Sequence, residues 1–331
     1  MSTELAIRMT QPGGASVLQP TEVVLPPPGA TEVRVRHTAV GVNFVDIYHR
    51  SGLYRLPELP AVLGVEAAGI VEALGPEVQG LAIGDRVAYT GPPAGGYATA
   101  RNIPAAKLLP IPDGVSDIQA AAALLRGITA HMLFQYVRPV RAGDTILVQA
   151  AAGGLGQVLG QWGASLGARM IGTVGSEAKG SVARSKGYEV AIPYRQTDFV
   201  AEVLRLTEGQ GADFAIDGIG GETLNKTLQA VRPFGLAASV GQVSVGGSED
   251  TAVLPMRELG PYRSIGLARP GVFRFMSDPV HYREGAQATL ARLAAGLSVD
   301  VSVILPLRRA AEAQHLLETG QTAGAVILLP R

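Results

Sequence analysis

The sequence predicts an α/β protein of two domains: an antiparallel, barrel-like β domain followed by a doubly wound parallel sheet. Three observations carry this. Residues 1–125 hold short apolar, β-branched runs broken by Gly/Pro turns; from about Arg126 apolar strands alternate with helical segments; and the turn after the first of those strands is glycine-rich. At 331 residues the chain exceeds an average single domain and fits two.

In the first domain EVRVRH (32–37), AGIVEA (68–73) and RVAYT (86–90) read as strands, punctuated by PPPGA, GPEVQG, IGDR and GPPAGG. Ser116, following the turn PDG, caps an Ala-rich helix over 116–123. The second domain then runs strand 144–150 (DTILVQA), helix 155–166, strand 169–174 (RMIGTV), helix 179–186, strand 189–194 (EVAIPY), strand 214–217 (FAID), helix 222–231 and strand 235–241 (GLAASVG). Near-continuous apolar strands between helices are what a parallel sheet covered on both faces requires. The tail, 268–331, has amphipathic stretches at 281–297 and 309–317, ends in the strand-like AVILLP, and is expected to pack back on the first domain. The expected domains are thus 1–125, 126–267 and a return over 268–331.

Composition narrows the function. Lys plus Arg and Asp plus Glu balance at 28 each, with no block of like charge, so nothing marks a nucleic-acid or anionic-membrane partner. The N-terminal residues MSTELAIRMTQPGG lack the basic start and apolar core of a secretory signal, and no apolar run nears the roughly 18 residues that span a bilayer, so a cytoplasmic location is expected. With no Cys and five scattered His, the chain has no thiolate nucleophile, disulfide or Cys-containing zinc site, and no metal is expected.

The turn LVQAAAGGLGQ (147–157) follows a strand and opens a helix. Gly153, Gly154 and Gly156, with Ala152 and Leu155 between and beside them, sit where a backbone turns tightly, approaches a pyrophosphate and lets a helix pack on its strand. Ala151 replaces the first glycine of the usual pattern. The end of the next strand discriminates between cofactors: an NAD site places an acid there for the ribose 2′-hydroxyl, but this chain reads Gly172-Thr173-Val174-Gly175-Ser176. Gly175 and Ser176, with Lys179 three residues beyond Ser176 and Tyr194 ending the following strand, suit a 2′-phosphate, so NADPH is expected over NADH. Glu177 points the other way, and without a ligand Lys179 is a solvated helix lysine.

With these segments in place, the chain resembles the zinc-independent quinone oxidoreductases of the medium-chain dehydrogenase/reductase superfamily, the group that includes zeta-crystallin. The resemblance covers essentially the whole length through GVNFVDIYHRSGLY (41–54), LGVEAAGIV (63–71), GDRVAY (84–89), GGYA (95–98), LRGITAHML (125–133), AAAGGLGQ (150–157), GTVGSEAK (172–179) and AIPYR (191–195). It implies a GroES-like β-barrel catalytic domain and a Rossmann cofactor domain. In zinc-dependent relatives Val65 would be His and Asn43 would be Cys. Without a Lewis acid to lower an alcohol's pKa, alcohol oxidation loses its basis, whereas an electron-poor quinone needs only a well-placed hydride.

The resemblance also implies site residues. Asn43 and Tyr54 are expected at the nicotinamide and substrate cavity as hydrogen-bonding catalytic groups, and Asp46 as a local anchor; as ordinary structure, Asn43 caps a turn and Tyr54 packs a domain edge. Thr129, Ser239, Val240, Gly241, Arg269 and Gly324 are expected at the cofactor, with Ala325 weakening any polar role beside Gly324. His131 reads as a helix-packing histidine. The leading expectation is NADPH-dependent quinone reduction; reduction of activated C=C bonds in enones or alkenals is the alternative, with Tyr54 its nominated proton donor, and an NADPH-binding structural or RNA-interacting role is less favoured. Loops 52–60 and 257–270 are expected to shape the cavity, and a homodimer to form by pairing sheet edges around 239–253.

Overall fold

The computed structural model describes residues 2–245 and 259–330. In chain order the elements are β1 (Ser2–Met9), β2 (Gln19–Leu25), β3 (Glu32–Val42), α1 (Phe44–Ser51), β4 (Ala61–Val62), β5 (Glu66–Leu74), β6 (Arg86–Thr90), β7 (Ala100–Pro104), β8 (Leu109–Pro110) and α2 (Asp117–His131). Then follow β9 (Thr145–Val148), α3 (Gly154–Ser165), β10 (Arg169–Val174), α4 (Glu177–Ser185), β11 (Val190–Pro193), α5 (Phe199–Leu206), β12 (Ala212–Asp217), α6 (Gly221–Gln229), β13 (Val231–Ser239) and β14 (Gly266–Ala268). Last come α7 (Val272–Phe275), α8 (Pro279–Ala294), β15 (Val301–Pro306), α9 (Ala310–Glu318) and β16 (Ala325–Leu329). They form two compact units, residues 1–125 with 286–331 and residues 126–285.

The first unit has a three-stranded sheet ordered β2-β1-β4 and a larger one ordered β15-β16-β3-β5-β6-β8, with β7 also paired to β3. β3 shows the alternation of a half-buried strand: Val33 and Val35 are fully buried while Arg34 and Arg36 turn outward. β16 pairs antiparallel with β3, Ile327 opposite Gly41, which places the expected tail strand inside the first unit's sheet. The α2 helix runs well past 123, through Gly127 and the β-branched Ile128 and Thr129, because burial of Leu124, Leu125, Ile128 and Ala130 outweighs their weaker propensity, and continues as a π-helix over Met132–Val137.

The second unit is a six-stranded sheet ordered β11-β10-β9-β12-β13-β14, parallel throughout. Ile146, Leu147 and Val148 of β9 are all buried, as a strand covered on both faces demands. Parallel strands put their carboxyl ends on one edge, so the connections leaving β9, β10, β12 and β13 converge there. The unit extends past the boundary expected at 267. β14 pairs with β13, Phe275 packs on Tyr136 with centroids 5.0 Å apart, and Gly285 lies against Ile128, which groups 268–285 here rather than with the tail.

Candidate functional site

In the second unit, β9 leads into a turn made by close packing. Ala150 adopts the left-handed region at φ 56°, the Ala151 N–H donates to Thr173 O of β10 at 2.9 Å, and Gly153 occupies the N-cap of α3. A Cβ at Gly156 would lie 2.5 Å from both Ala150 O and Ala151 O, so only glycine lets α3 sit this close to the turn. At Gly154 the corresponding space is filled by the Arg126 guanidinium, whose Nε would be 2.4 Å from an added Cβ. Arg126 is a cation buried at a helix N-terminus, and nothing in the local pattern LRGITAHML marks it for that place. Ala152 is buried and Leu155 lies in the first turn of α3.

At the end of β10, Ser176 caps α4, its Oγ accepting the Lys179 N–H at 3.4 Å. A Cβ on Gly175 would lie 3.3 Å from the Tyr194 hydroxyl, so Gly175, Ser176, Lys179 and Tyr194 are brought together. Burial, and after it the neighbouring Arg195 charge, hold the Lys179 ammonium below the usual lysine range. Two cations therefore share this corner, and Arg195 is one that pattern reading passed over. Glu177, the contrary signal, pairs with Arg184.

The end of β13 lies beside that of β12. The Val240 N–H donates to Asp217 O at 2.8 Å, a Cβ on Gly241 would lie 2.5 Å from Gly218 O, and Arg269 Nη2 donates to the Gln242 side chain at 2.8 Å. Ser239 ends β13, and Thr129 is buried in α2. His131 sits among Tyr136, Trp162 and Phe275, centroids 5.8, 6.1 and 6.3 Å away.

In the first unit, Asn43 occupies the N-cap of α1 and its Nδ2 donates to Glu66 Oε2 at 2.8 Å. The other Glu66 oxygen accepts the Leu125 N–H at 2.6 Å. Gly41 is required beside them, since a Cβ there would lie 2.2 Å from Ala121 O and 2.7 Å from Glu66 Oε2. Asp46 accepts the Asn43 N–H at 2.9 Å and the Tyr97 hydroxyl at 3.1 Å. Tyr97 in turn accepts from Gln314 of α9, so Asp46 anchors α1 to the fold. Tyr54, 40% exposed, packs edge-on against Tyr48 with ring centroids 5.2 Å apart. Gly324 has φ 118° and would bring a Cβ 2.1 Å from Asp300 O, so its glycine is a backbone necessity of the β15–β16 connection.

A family model described as "Alcohol dehydrogenase GroES-like domain" matches residues 29–113, and one described as "Zinc-binding dehydrogenase" matches residues 154–276. The chain is 39% identical to a 2-haloacrylate reductase of Burkholderia sp., over 94% of each chain. It is 37% identical to a quinone oxidoreductase of Pseudomonas aeruginosa, over 96% of this chain and 97% of that one. The chain belongs to the quinone oxidoreductases of the medium-chain dehydrogenase/reductase superfamily. A solved Escherichia coli quinone oxidoreductase, complexed with NADPH, superposes with a TM-score of 0.93 at 34% identity, covering 98% of this chain and all of that one.

As a quinone oxidoreductase the chain does not fit the zinc in one matching model's description. Val65, at a position where zinc-dependent relatives carry a ligand, has no donor atom and is fully buried, and the Asn43 amide is engaged by Glu66. Among the described residues no cluster of three His, Cys, Asp or Glu is placed to hold a metal ion. Arg257, expected to begin a cavity loop, lies outside the described residues, as does most of the expected pairing segment 239–253.

Proposed function

We propose that the chain is an NADPH-dependent quinone reductase that works without zinc. The observation that carries this reading is the corner where Ser176, Lys179, Tyr194 and Arg195 gather with no acid at the end of β10. A ribose 2′-phosphate suits two adjacent cations and a helix N-cap, since each can give it a charge-assisted hydrogen bond that a bare 2′-hydroxyl does not match. Gly153, Gly154 and the N-terminus of α3, with Arg126, suit the pyrophosphate. When bound, NADPH supplies the hydride. The protein's own part is to hold the dinucleotide and to offer a hydrogen bond to the substrate oxygen, the task assigned to the Asn43 amide oriented by Glu66. Arg269 and the 239–241 turn support the dinucleotide from the end of β13.

A second reading, reduction of an activated C=C bond, is favoured by the similarity to a protein named 2-haloacrylate reductase and by the half-exposed Tyr54 hydroxyl, the nominated proton donor. Titrating NADPH and NADH into the apo protein, then oxidising the bound cofactor with 1,4-benzoquinone or 3-buten-2-one in stopped flow, separates the two. Selective NADPH binding with fast oxidation by the quinone alone is the expected result. Oxidation by the enone alone would replace the first reading with the second, and binding without turnover of either would overturn both.

The reading includes a homodimer, supported by Phe234, 85% exposed, and Tyr262, fully exposed, near the β13–β14 end of the sheet. Sedimentation equilibrium giving the monomer mass at micromolar concentration would remove the dimer from it. It also includes a cytoplasmic location; no helix of the described residues is long and apolar enough to cross a membrane. Recovery of the protein in the secreted fraction would contradict that part.

A further inference from the structure

Four polar side chains lie in the interior of the second unit, where a parallel sheet ordinarily packs apolar groups. Thr173 is 1% exposed, Gln149 6%, Thr227 0% and Asp217 0%. They form one chain of hydrogen bonds. Thr173 Oγ1 donates to Gln149 Oε1 at 2.5 Å, Gln149 Nε2 donates to Thr227 Oγ1 at 2.9 Å, and Thr227 Oγ1 lies 2.8 Å from Asp217 Oδ2 and from Thr223 O, both acceptors for its proton. The other Asp217 oxygen accepts the Ile219 and Gly220 N–H groups at 2.8 and 2.7 Å. The direction is set at the Gln149 amide, which only donates through Nε2, so Thr227 Oγ1 accepts there and divides its one proton between Asp217 Oδ2 and the Thr223 carbonyl of its own helix, each 2.8 Å away.

The positions of the four members matter more than their number. Thr173 precedes Gly175 and Ser176 at the end of β10, Gln149 immediately precedes the phosphate-type turn after β9, and Asp217 ends β12 and fixes the 218–220 connection. That connection in turn meets the end of β13, through the bond from Val240 N–H to Asp217 O and the contact between Gly218 and Gly241. Every strand end assigned above to the dinucleotide is thus tied, directly or through one loop, to a single buried chain.

We propose that Gln149, Thr227 and Asp217 are positioning residues for the cofactor, holding the separate turns in the spacing that one dinucleotide needs. The proposal rests on the NADPH reading above. The bonds are buried within the sheet and between it and α6, so the groups act through the turns they hold and not by contact. Satisfied networks of this kind specify one arrangement, and a break leaves buried groups without partners.

The test compares wild type with Thr227→Val, which removes the hydroxyl while keeping the shape, and with Thr227→Ser, which restores it. NADPH and NADH dissociation constants, KM for NADPH, kcat and the thermal midpoint are measured on each. Wild type is expected to bind NADPH. Thr227→Val is expected to raise both dissociation constants about tenfold with their ratio unchanged, to raise KM in step and to leave kcat at saturation nearly intact, with Thr227→Ser near wild type. Thr173→Val, which breaks only the outermost bond, is expected to weaken NADPH binding by a smaller factor and serves if Thr227→Val does not fold. Folded Thr227→Val or Thr173→Val with wild-type dissociation constants, or a loss that Thr227→Ser does not repair, would overturn the proposal. Wild type that binds neither dinucleotide would instead overturn the cofactor reading, and this inference with it.

Discussion

Asn43 Nδ2 donates to Glu66 Oε2 across 2.8 Å, and both side chains are closed to solvent. A buried carboxylate that loses a donor keeps the cost of its desolvation, so Asn43→Ala is expected to lower the unfolding free energy by about 1–3 kcal/mol. Asn43→Asp sets two carboxyl groups at that contact, where they cannot both ionise. Its stability relative to wild type should fall between pH 5 and pH 8. Urea midpoints for the three proteins at both pH values check this; an Asn43→Asp deficit independent of pH would show that the contact is not maintained.

The corner at Lys179 predicts a cofactor-specific effect. Lys179→Gln and Arg195→Gln are each expected to weaken NADPH binding by about tenfold, the range of one charge-assisted hydrogen bond, and to leave NADH nearly unchanged. Raising the salt concentration should weaken NADPH binding to wild type more than to either variant. Equal losses for both dinucleotides would move the 2′-phosphate elsewhere.

Gly156→Ala would press a Cβ to 2.5 Å from two backbone oxygens, atoms that cannot swing away. It is expected to cost about 1–3 kcal/mol and to impair dinucleotide binding. Gly14→Ala is the control, because nothing lies within 4 Å of its added methyl. Calorimetry of the pair decides whether the close approach of α3 to its turn is as tight as described.

Burial lowers both His37 and His49 to about 4 from an ordinary value of 6.5. His37 is held neutral, its Nδ1–H donating to Ala98 O at 2.8 Å and its Nε2 accepting from the Tyr89 hydroxyl at 2.9 Å. A base whose folded pKa is depressed favours the folded state fully above 6.5, and that contribution is lost as pH falls from 6.5 toward 4. Each loss is of order 3 kcal/mol. Asp217, raised by burial, acts in the opposite sense, contributing below its ordinary 3.8 and losing that contribution as pH rises through its raised value. Unfolding free energies measured from pH 7.5 to 4 should therefore decline, and His37→Gln should flatten part of the slope. A slope unchanged by that substitution would show that His37 titrates normally.

Much of this architecture is legible in local pattern. The alternation after Arg126 foretells a parallel sheet because apolar runs and helical periods are short-range properties, and the glycine spacing at 153–156 does the same for the turn. Glu66 has no legible role within LGVEAAGIV, since nothing nearby in sequence says that it meets Asn43 and the Leu125 N–H. The network through Thr173, Gln149, Thr227 and Asp217 is illegible for the same reason: its members are unremarkable singly, and their bonds span 10 to 78 positions of sequence. Arg195 was passed over because a charged residue after a strand reads as surface until Lys179 is seen beside it. The extended α2 and its π-turn reflect tertiary packing overriding a single glycine.

The place of β16 has a consequence for the order of events during synthesis. This strand, residues 325–329, lies between β15 and β3 in the first unit's larger sheet. β7 fills the Glu32–Arg36 part of the same β3 edge, but the Val40–Val42 part must wait for β16 while nearly three hundred further residues are added. All six strands of the other sheet lie in one continuous stretch and are complete before β15 emerges. The domain begun first is thus the domain finished last. The short unpaired end of β3, Val40–Val42, is the strand surface on which a ribosome-associated chaperone would have the longest time to act.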